Sequence, residues 1–241
     1  MTTSWLRAVA ALSVLVLAAG CGGDDGDGGD GGGDSDFAKL SGTKIAEAAK
    51  ADMADLEQVK YAGEISTGDD TVTLDIQASS AGDCTGTIGL GDGTAELVAK
   101  DGDNWFRPDE AFWRAQAPDQ ADAIIAAVGD KWVLDTDANF AQFCDLDTFF
   151  DSIFLDDNGT DAEYEVKGTE EIDGEEVVEV ERTTEDGPSS GFVLVDGEHY
   201  LVKLERTDGD DAGTVEFSEF NEEFEVEAPA EDEVVDLNQL G

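Results

Sequence analysis

Three cysteines, one histidine and 59 Asp+Glu set the chemistry open to this 241-residue chain. His199 is alone, so no His pair and no Cys/His dyad can form, and nucleophilic or zinc-type mechanisms lose their usual parts. No Gly-x-Ser-x-Gly, His-Glu-x-x-His or phosphate-cradling glycine loop occurs. Adjacent carboxylates are so numerous that a glycosidase-type acid and base pair requires geometry before it means anything. Two acidic stretches imitate the start of an EF-hand loop. Asp135-x-Asp137-x-Asn139 carries Phe140 where the sharp turn needs glycine, which removes it. The loop Asp208 to Gly213 has Ala212 at a ligand position and strand-like flanks, so it reads as a hairpin, with cation binding left open. No metal or cofactor is implied.

Charge narrows the partners. With 13 Lys+Arg the formal charge is -46, and no basic cluster exists to hold a phosphate backbone, which excludes DNA and RNA. The same sign excludes unassisted attraction to anionic headgroups. Yet 40% of the residues are hydrophobic and fall in ordered patterns, too many for a disordered acidic tail.

Cys21 has its own context. Arg7 precedes an apolar run from Ala8 to Ala19, about a dozen residues, where a membrane-spanning helix needs ~20. Residues 1–20 therefore read as a cleaved signal peptide. Leu17-Ala18-Ala19-Gly20-Cys21 resembles the bacterial lipobox, in which cleavage precedes the cysteine and its sulfur takes a diacylglyceryl group. Ala18 departs from that pattern, since leucine is usual there. Two acyl chains suffice for stable anchoring at ~0.8 kcal/mol per buried CH₂. Gly22 to Asp36 contains only Gly, Asp and one Ser, so 21–36 is a lipidated cysteine followed by a tether. Its r.m.s. reach of ~20 Å exceeds the ~8 Å Debye length, which keeps an acidic domain clear of an anionic surface.

The remainder, 37–241, reads as one domain. A helix is predicted from a Ser41 or Thr43 cap to near Val59, with Ile45, Ala48, Ala49, Met53 and Leu56 on one face. Strands follow at Tyr61–Thr67, Thr71–Ala78, Cys84–Leu90, Ala95–Lys100 and Asn104–Arg107, joined by Gly/Asp turns. Helical spacing returns at Ala121, Ile124, Ile125 and Val128, with Gly129 as C-cap, and again from Asp147 through Phe154. After Asn158-Gly159, strands resume at Tyr164–Ile172, Glu176–Thr183, Gly191–Val195, Glu198–Arg206, Thr214–Phe220 and Phe224–Glu227. Along each strand Val166, Val178, Val180, Val202, Leu204 and Phe217 are expected to point to the helices, while Glu165, Lys167, Glu179, Glu181, Lys203 and Glu205 point to water. The fold class is thus α+β, a large antiparallel sheet with helices on one face.

Cys84 shares parity with Ile88 and Leu90 and faces inward, and Cys144 precedes the aromatic helix. In an exported chain the pair reads as a disulfide stapling sheet to helix. A dense apolar set falls between them and beyond: Trp105, Phe112, Trp113, Ile124, Ile125, Val128, Trp132, Phe149, Phe150, Ile153 and Phe154. Either these fill a solid core or they line a cavity for an acyl chain.

Five segments carry a resemblance: Asp83-Cys84-Thr85-Gly86-Thr87-Ile88, Ala95-Glu96-Leu97, Trp105 with Pro108-Asp109-Glu110-Ala111-Phe112-Trp113, Asp130-Lys131-Trp132-Val133, and Phe224 to Pro229. Together they look like a group of actinobacterial lipoproteins, which in turn resemble the mycobacterial LppX and LprG glycolipid carriers. That resemblance implies a curved half-barrel whose concave face is covered by helices, as in the LolA and LolB carriers. It implies a non-catalytic monomer, held by its lipid on the extracytoplasmic face of the membrane, that binds or shuttles a lipid or glycolipid. The alternative is a solid-cored surface module that meets a protein or cell-wall partner. An envelope hydrolase is a third class, for which no residue speaks. If Cys21 carries the anchor, Cys21→Ala is expected to move the exported protein wholly into the aqueous phase of a detergent partition, the unaltered chain staying in the detergent phase.

Overall fold

The structure is a computed structural model that describes residues 36–68, 70–136, 140–154, 162–184, 187–209 and 212–239. The chain divides into two units, residues 1–33 and 34–241; the expected signal peptide, Cys21 and most of the expected tether, with parts of both acidic loops and Asn158-Gly159, lie outside the described residues.

In the second unit the order is α1 (Gly42–Ala54), β1 (Gln58–Thr67), β2 (Asp70–Ser79), β3 (Cys84–Leu90), β4 (Gly93–Lys100) and β5 (Asp103–Pro108). There follow α2 (Glu110–Gln116), α3 (Ala121–Val128), β6 (Trp132–Leu134) and α4 (Leu146–Phe154). A second meander, β7 (Glu163–Ile172), β8 (Glu175–Thr184), β9 (Gly187–Leu194), β10 (Leu201–Arg206) and β11 (Gly213–Ser218), precedes a short β12 (Val234–Val235). The described strands form one twelve-stranded sheet, β12-β6-β5-β4-β3-β2-β1-β11-β10-β9-β8-β7. Pairing is antiparallel except where β12 lies parallel to β6. The two meanders join through β1 and β11, with Tyr61 opposite Phe217. At that seam a Cβ on Gly63 would overlap the Thr214 carbonyl oxygen, so only glycine permits the approach. This is an α+β fold, as the alternation predicts, and a half-barrel, as the resemblance implies.

Local chemistry moves several boundaries. α1 begins after Ser41 but stops at Ala54, and Val59 belongs to β1, where it is buried. Leu56, expected as the last turn of the helix, is buried beyond its end. α4 starts at Leu146, one residue before the predicted start at Asp147. Asp145, not Asp147, accepts from the Thr148 amide at 2.9 Å. Residues 222–230, expected to include a strand at Phe224–Glu227, have no regular structure. A register irregularity between Leu201 and Lys203 seats Leu201 in the core in place of Val202.

One helix escaped the periodicity because it is a bare two turns. Pro108 ends β5, and Asp109 caps α2 by accepting from the Phe112 amide at 2.7 Å and the Thr94 amide at 3.1 Å. Phe112 and Trp113 are thereby driven into the core. The Gly91-Asp92-Gly93 turn serves this contact too, since a Cβ on Gly93 would collide with the Phe112 amide nitrogen.

The core lies on the helix-covered face, and two bonds hold the helical insertion to it. Cys84, at the start of β3, is joined to Cys144 across a Cα–Cα distance of 5.4 Å, as predicted. Closing a loop with a sequence separation of 60 contributes about 4 kcal/mol in the chain-entropy account. Beside it the Tyr61 hydroxyl donates to the Phe143 carbonyl, and the Tyr61 ring stacks on Phe149 with centroids 4.2 Å apart. At the neighbouring turn, the hydrogen-bonded Lys100 ammonium, 2.5 Å away, holds the Asp83 carboxyl below its ordinary range.

Burial pushes the Tyr61 hydroxyl far above its ordinary pKa of 10.0. An unfolded chain releases that proton near pH 10 while the folded one keeps it. The stability difference is therefore constant below that value and falls as pH rises above it, by at most ~1.4 kcal/mol per pH unit. Denaturant unfolding at pH 8 and pH 11 is expected to show this loss and Tyr61→Phe to reduce it. At neutral pH the variant costs about 1–3 kcal/mol, because the Phe143 carbonyl loses its donor.

Candidate functional site

Antiparallel register arranges the inner face in rows. At the rim of the second meander one row runs through Tyr164, Arg182 and Ser189, and continues through Arg206, Gly213 and Ile65. The next row inward is Val166, Val180, Gly191, Leu204 and Val215. Polarity thus changes over two residues along β7, β8 and β10, from Tyr164, Arg182 and Arg206 to Val166, Val180 and Leu204.

Over these rows lies a partly enclosed cavity of about 360 Å³. Its floor is Val180, Val193, Leu201, Leu204, Val215 and Ile65, and its roof is α1, through Thr43, Ala46 and Ala49, with Ile153 and Phe154 at the end of α4. Gly191 and Gly213 also line it; a Cβ on Gly213 would collide with the Glu64 carbonyl oxygen of β1. Lys50, Arg182, Arg206, Glu47 and Ser189 supply the polar lining. A second cavity of about 500 Å³ lies under α2, bounded by Val72, Ile88, Phe106, Phe112, Trp113, Phe140 and Leu237.

Between them the core is packed. Phe149 and Phe150 lie within 6.4 Å of the Phe217 ring, and Val128 is buried, with Ile124 and Ile125 against the core's edge. The predicted lining residues therefore separate. Ile153 and Phe154 border the first cavity and Phe112 and Trp113 the second, whereas Ile124, Ile125, Val128, Phe149 and Phe150 border neither. Trp105 and Trp132 do not face the helices at all. Phe106 and Val133 take the inward parity, so the two tryptophans lie on the convex face, where the Arg107 guanidinium sits 4.6 Å from the Trp132 ring.

Sequence reasoning missed the lining from the second meander. Arg182 continues the parity of Val178 and Val180, and Arg206 that of Leu204; a charge on the buried parity of a strand was the available signal. His199 is structural: its ring stacks on Phe37 at 3.4 Å, its Nδ1 is 3.1 Å from the Leu194 carbonyl oxygen, and its amide donates to Asp52. Asp135 is buried and accepts from the Phe140 amide at 2.9 Å. Among the described residues no carboxylate, His or Cys cluster could hold a metal, and no helix is long and apolar enough to cross a membrane.

No protein-family model matches the chain, and the curated proteins hold no match to it. Solved structures do. LprF from Mycobacterium bovis superposes with a TM-score of 0.56 at 12% identity, covering 78% of this chain and 97% of that one. The Mycobacterium tuberculosis lipoprotein LppX superposes at 0.50 with 14% identity, covering 76% and 97%. The chain has the LprF and LppX fold. At such identity the likeness is one of backbone architecture, so the cavity's chemistry must come from the residues of this chain.

Ala46, on α1, lines the first cavity. Ala46→Trp is expected to leave the unfolding midpoint within a few degrees of the parent while abolishing uptake of the uncharged dye N-phenyl-1-naphthylamine. A destabilisation of ~1–3 kcal/mol, the mark of an overpacked core, would show that the space is not there.

Proposed function

We propose that the protein is a cell-envelope lipoprotein, anchored by acylated Cys21 on the extracytoplasmic face of the membrane, that binds or shuttles a lipid without catalysing a reaction. The observation that carries this reading is the cavity of about 360 Å³ between α1, the end of α4 and the inner face of the second meander. Its size lies in the range of small-molecule sites, and its lining is mostly apolar with a few polar groups, the arrangement such sites use. The fold shared with LprF and LppX and the lipobox resemblance of Leu17 to Cys21 support the same reading.

In this account residues 1–20 are removed, residues 21–36 tether the domain, and residues 37–241 act as a monomer. The alternative, an interaction module, draws its support from the convex patch of Trp105 and Trp132. Its premise of a solid core fits poorly with two cavities.

Expression of the Cys21→Ala form in a bacterial envelope removes the anchor's own acyl chains. Solvent extraction and mass spectrometry of the purified protein are then expected to yield a lipid near one per chain. Absence of any stoichiometric lipid would overturn the proposal.

A further inference from the structure

Beyond β11 the chain crosses to the far edge of the sheet as a strap, firmly held at one end and lightly fastened at the other. At the firm end the Asn221 amide donates to the Gln58 carbonyl at 2.8 Å, and its side-chain oxygen accepts from the Glu57 amide at 2.8 Å. Its side-chain nitrogen donates to the Tyr200 hydroxyl at 3.2 Å, and the Phe220 ring stacks on Tyr200 with centroids 4.6 Å apart. Among the described residues, 223–229 make no hydrogen bond. At the far end β12 pairs with β6 through two residues, Val234 with Trp132 and Val235 with Val133. Two exposed bonds of 3.0 Å complete the attachment, from the Lys131 ammonium to the Asp232 carbonyl and from the Asn238 side-chain amide to the Thr136 hydroxyl. The other hydrogen bonds of residues 230–239 are internal, as where Asn238 and Gln239 close on Asp236.

The lightly fastened end meets the second cavity. Leu237 lines it, and with Val235 it packs against the core while remaining partly exposed. Floor and roof stand without the strap. Val72, Ile88 and Phe106 lie on β2, β3 and β5, and α2 is set independently by Asp109, which caps it and binds the Thr94 amide. A two-residue pairing and two exposed hydrogen bonds are a weak hold, so residues 231–239 belong to the part of the molecule that opens long before the sheet unfolds.

We infer that the second cavity is a latent binding site for a ring-bearing hydrophobe, kept shut by residues 231–239 and opened when that latch swings out about Asn221. The ligand class follows from the lining. Phe106, Phe112, Trp113, Phe140 and Phe143 make it aromatic, where the first cavity is chiefly aliphatic, and aromatic walls hold a ring by offset or edge-to-face contact. The open form is a minor state that a ligand makes dominant. This inference does not depend on the first cavity holding a lipid.

The test uses the full chain carrying Cys21→Ala and Ala46→Trp, which fills the first cavity, with N-phenyl-1-naphthylamine as the probe. Leu237→Asp sets a carboxylate against an apolar lining and so favours the unlatched strap. It is expected to raise dye binding roughly ten-fold, toward one per chain, and Val72→Trp added within the second cavity is expected to remove the gain. Lys131→Ala with Asn238→Ala cuts both exposed bonds without touching the cavity, and a gain of several-fold is expected from it. In the parent, hydrogen exchange of the latch amides is expected to run at least a hundred-fold faster than that of β2 and β3, a measurement that stands even where Leu237→Asp does not fold. Latch amides exchanging as slowly as the sheet would overturn the inference. So would folded unlatched variants that take up no dye, or a latched chain that already takes up dye in a manner Val72→Trp abolishes. Lipid recovered from the Cys21→Ala protein decides the first cavity separately, so either reading can fail alone.

Discussion

A single sheet of twelve strands presents one long apolar face to be kept from water, and among the described residues it is covered by four short α-helices and a few 3-10 turns. The longest, α1, runs only from Gly42 to Ala54. At 1.5 Å of rise per residue, a helix of that size reaches roughly 20 Å. Most other features follow from this shortage of cover. Where α4 and the segment before it are pinned down, the core closes around Tyr61, Phe149, Phe150 and Phe217. On either side of that pinned centre the helices do not fill the curve, and the two cavities are what remains.

Few groups do the pinning. The Cys84–Cys144 bond and the Tyr61 hydroxyl grip the same short segment from the sheet below, one by constraining the unfolded chain and the other by satisfying a carbonyl that would otherwise lack a donor.

Charge follows the same geometry. Loss of Arg7 with the signal would take the formal charge from -46 to -47, and six tether aspartates leave -41 for the folded part. Much of that charge lies on the outward parity of the strands and in their turns, where it keeps the domain soluble and apart from its neighbours. A few outward positions are apolar and are covered by long cationic side chains, as with Lys203 over Phe192 at 4.8 Å.

Periodicity alone determined a good deal. It located the two meanders, the helices at 121–128 and near 146–154, the inward cysteines and the α+β class, because alternation and helical spacing record which side of each element meets water. It could not show α2, whose two turns are too short for a stripe, nor end α1 correctly, because Leu56 and Val59 are buried in the strand entry as fully as they would be in a helix. The cavity lining was expected in the aromatic stretch from Trp105 to Phe154, yet the tryptophans at 105 and 132 lie across the sheet, and half of the first cavity comes from residues 164–215. That outcome depended on pairing β1 with β11, a contact between segments near opposite ends of the folded domain that no local pattern encodes. Residue pattern determines which face of a strand is apolar; only the long-range register decides which apolar faces meet, and so where they fail to fill the space between them.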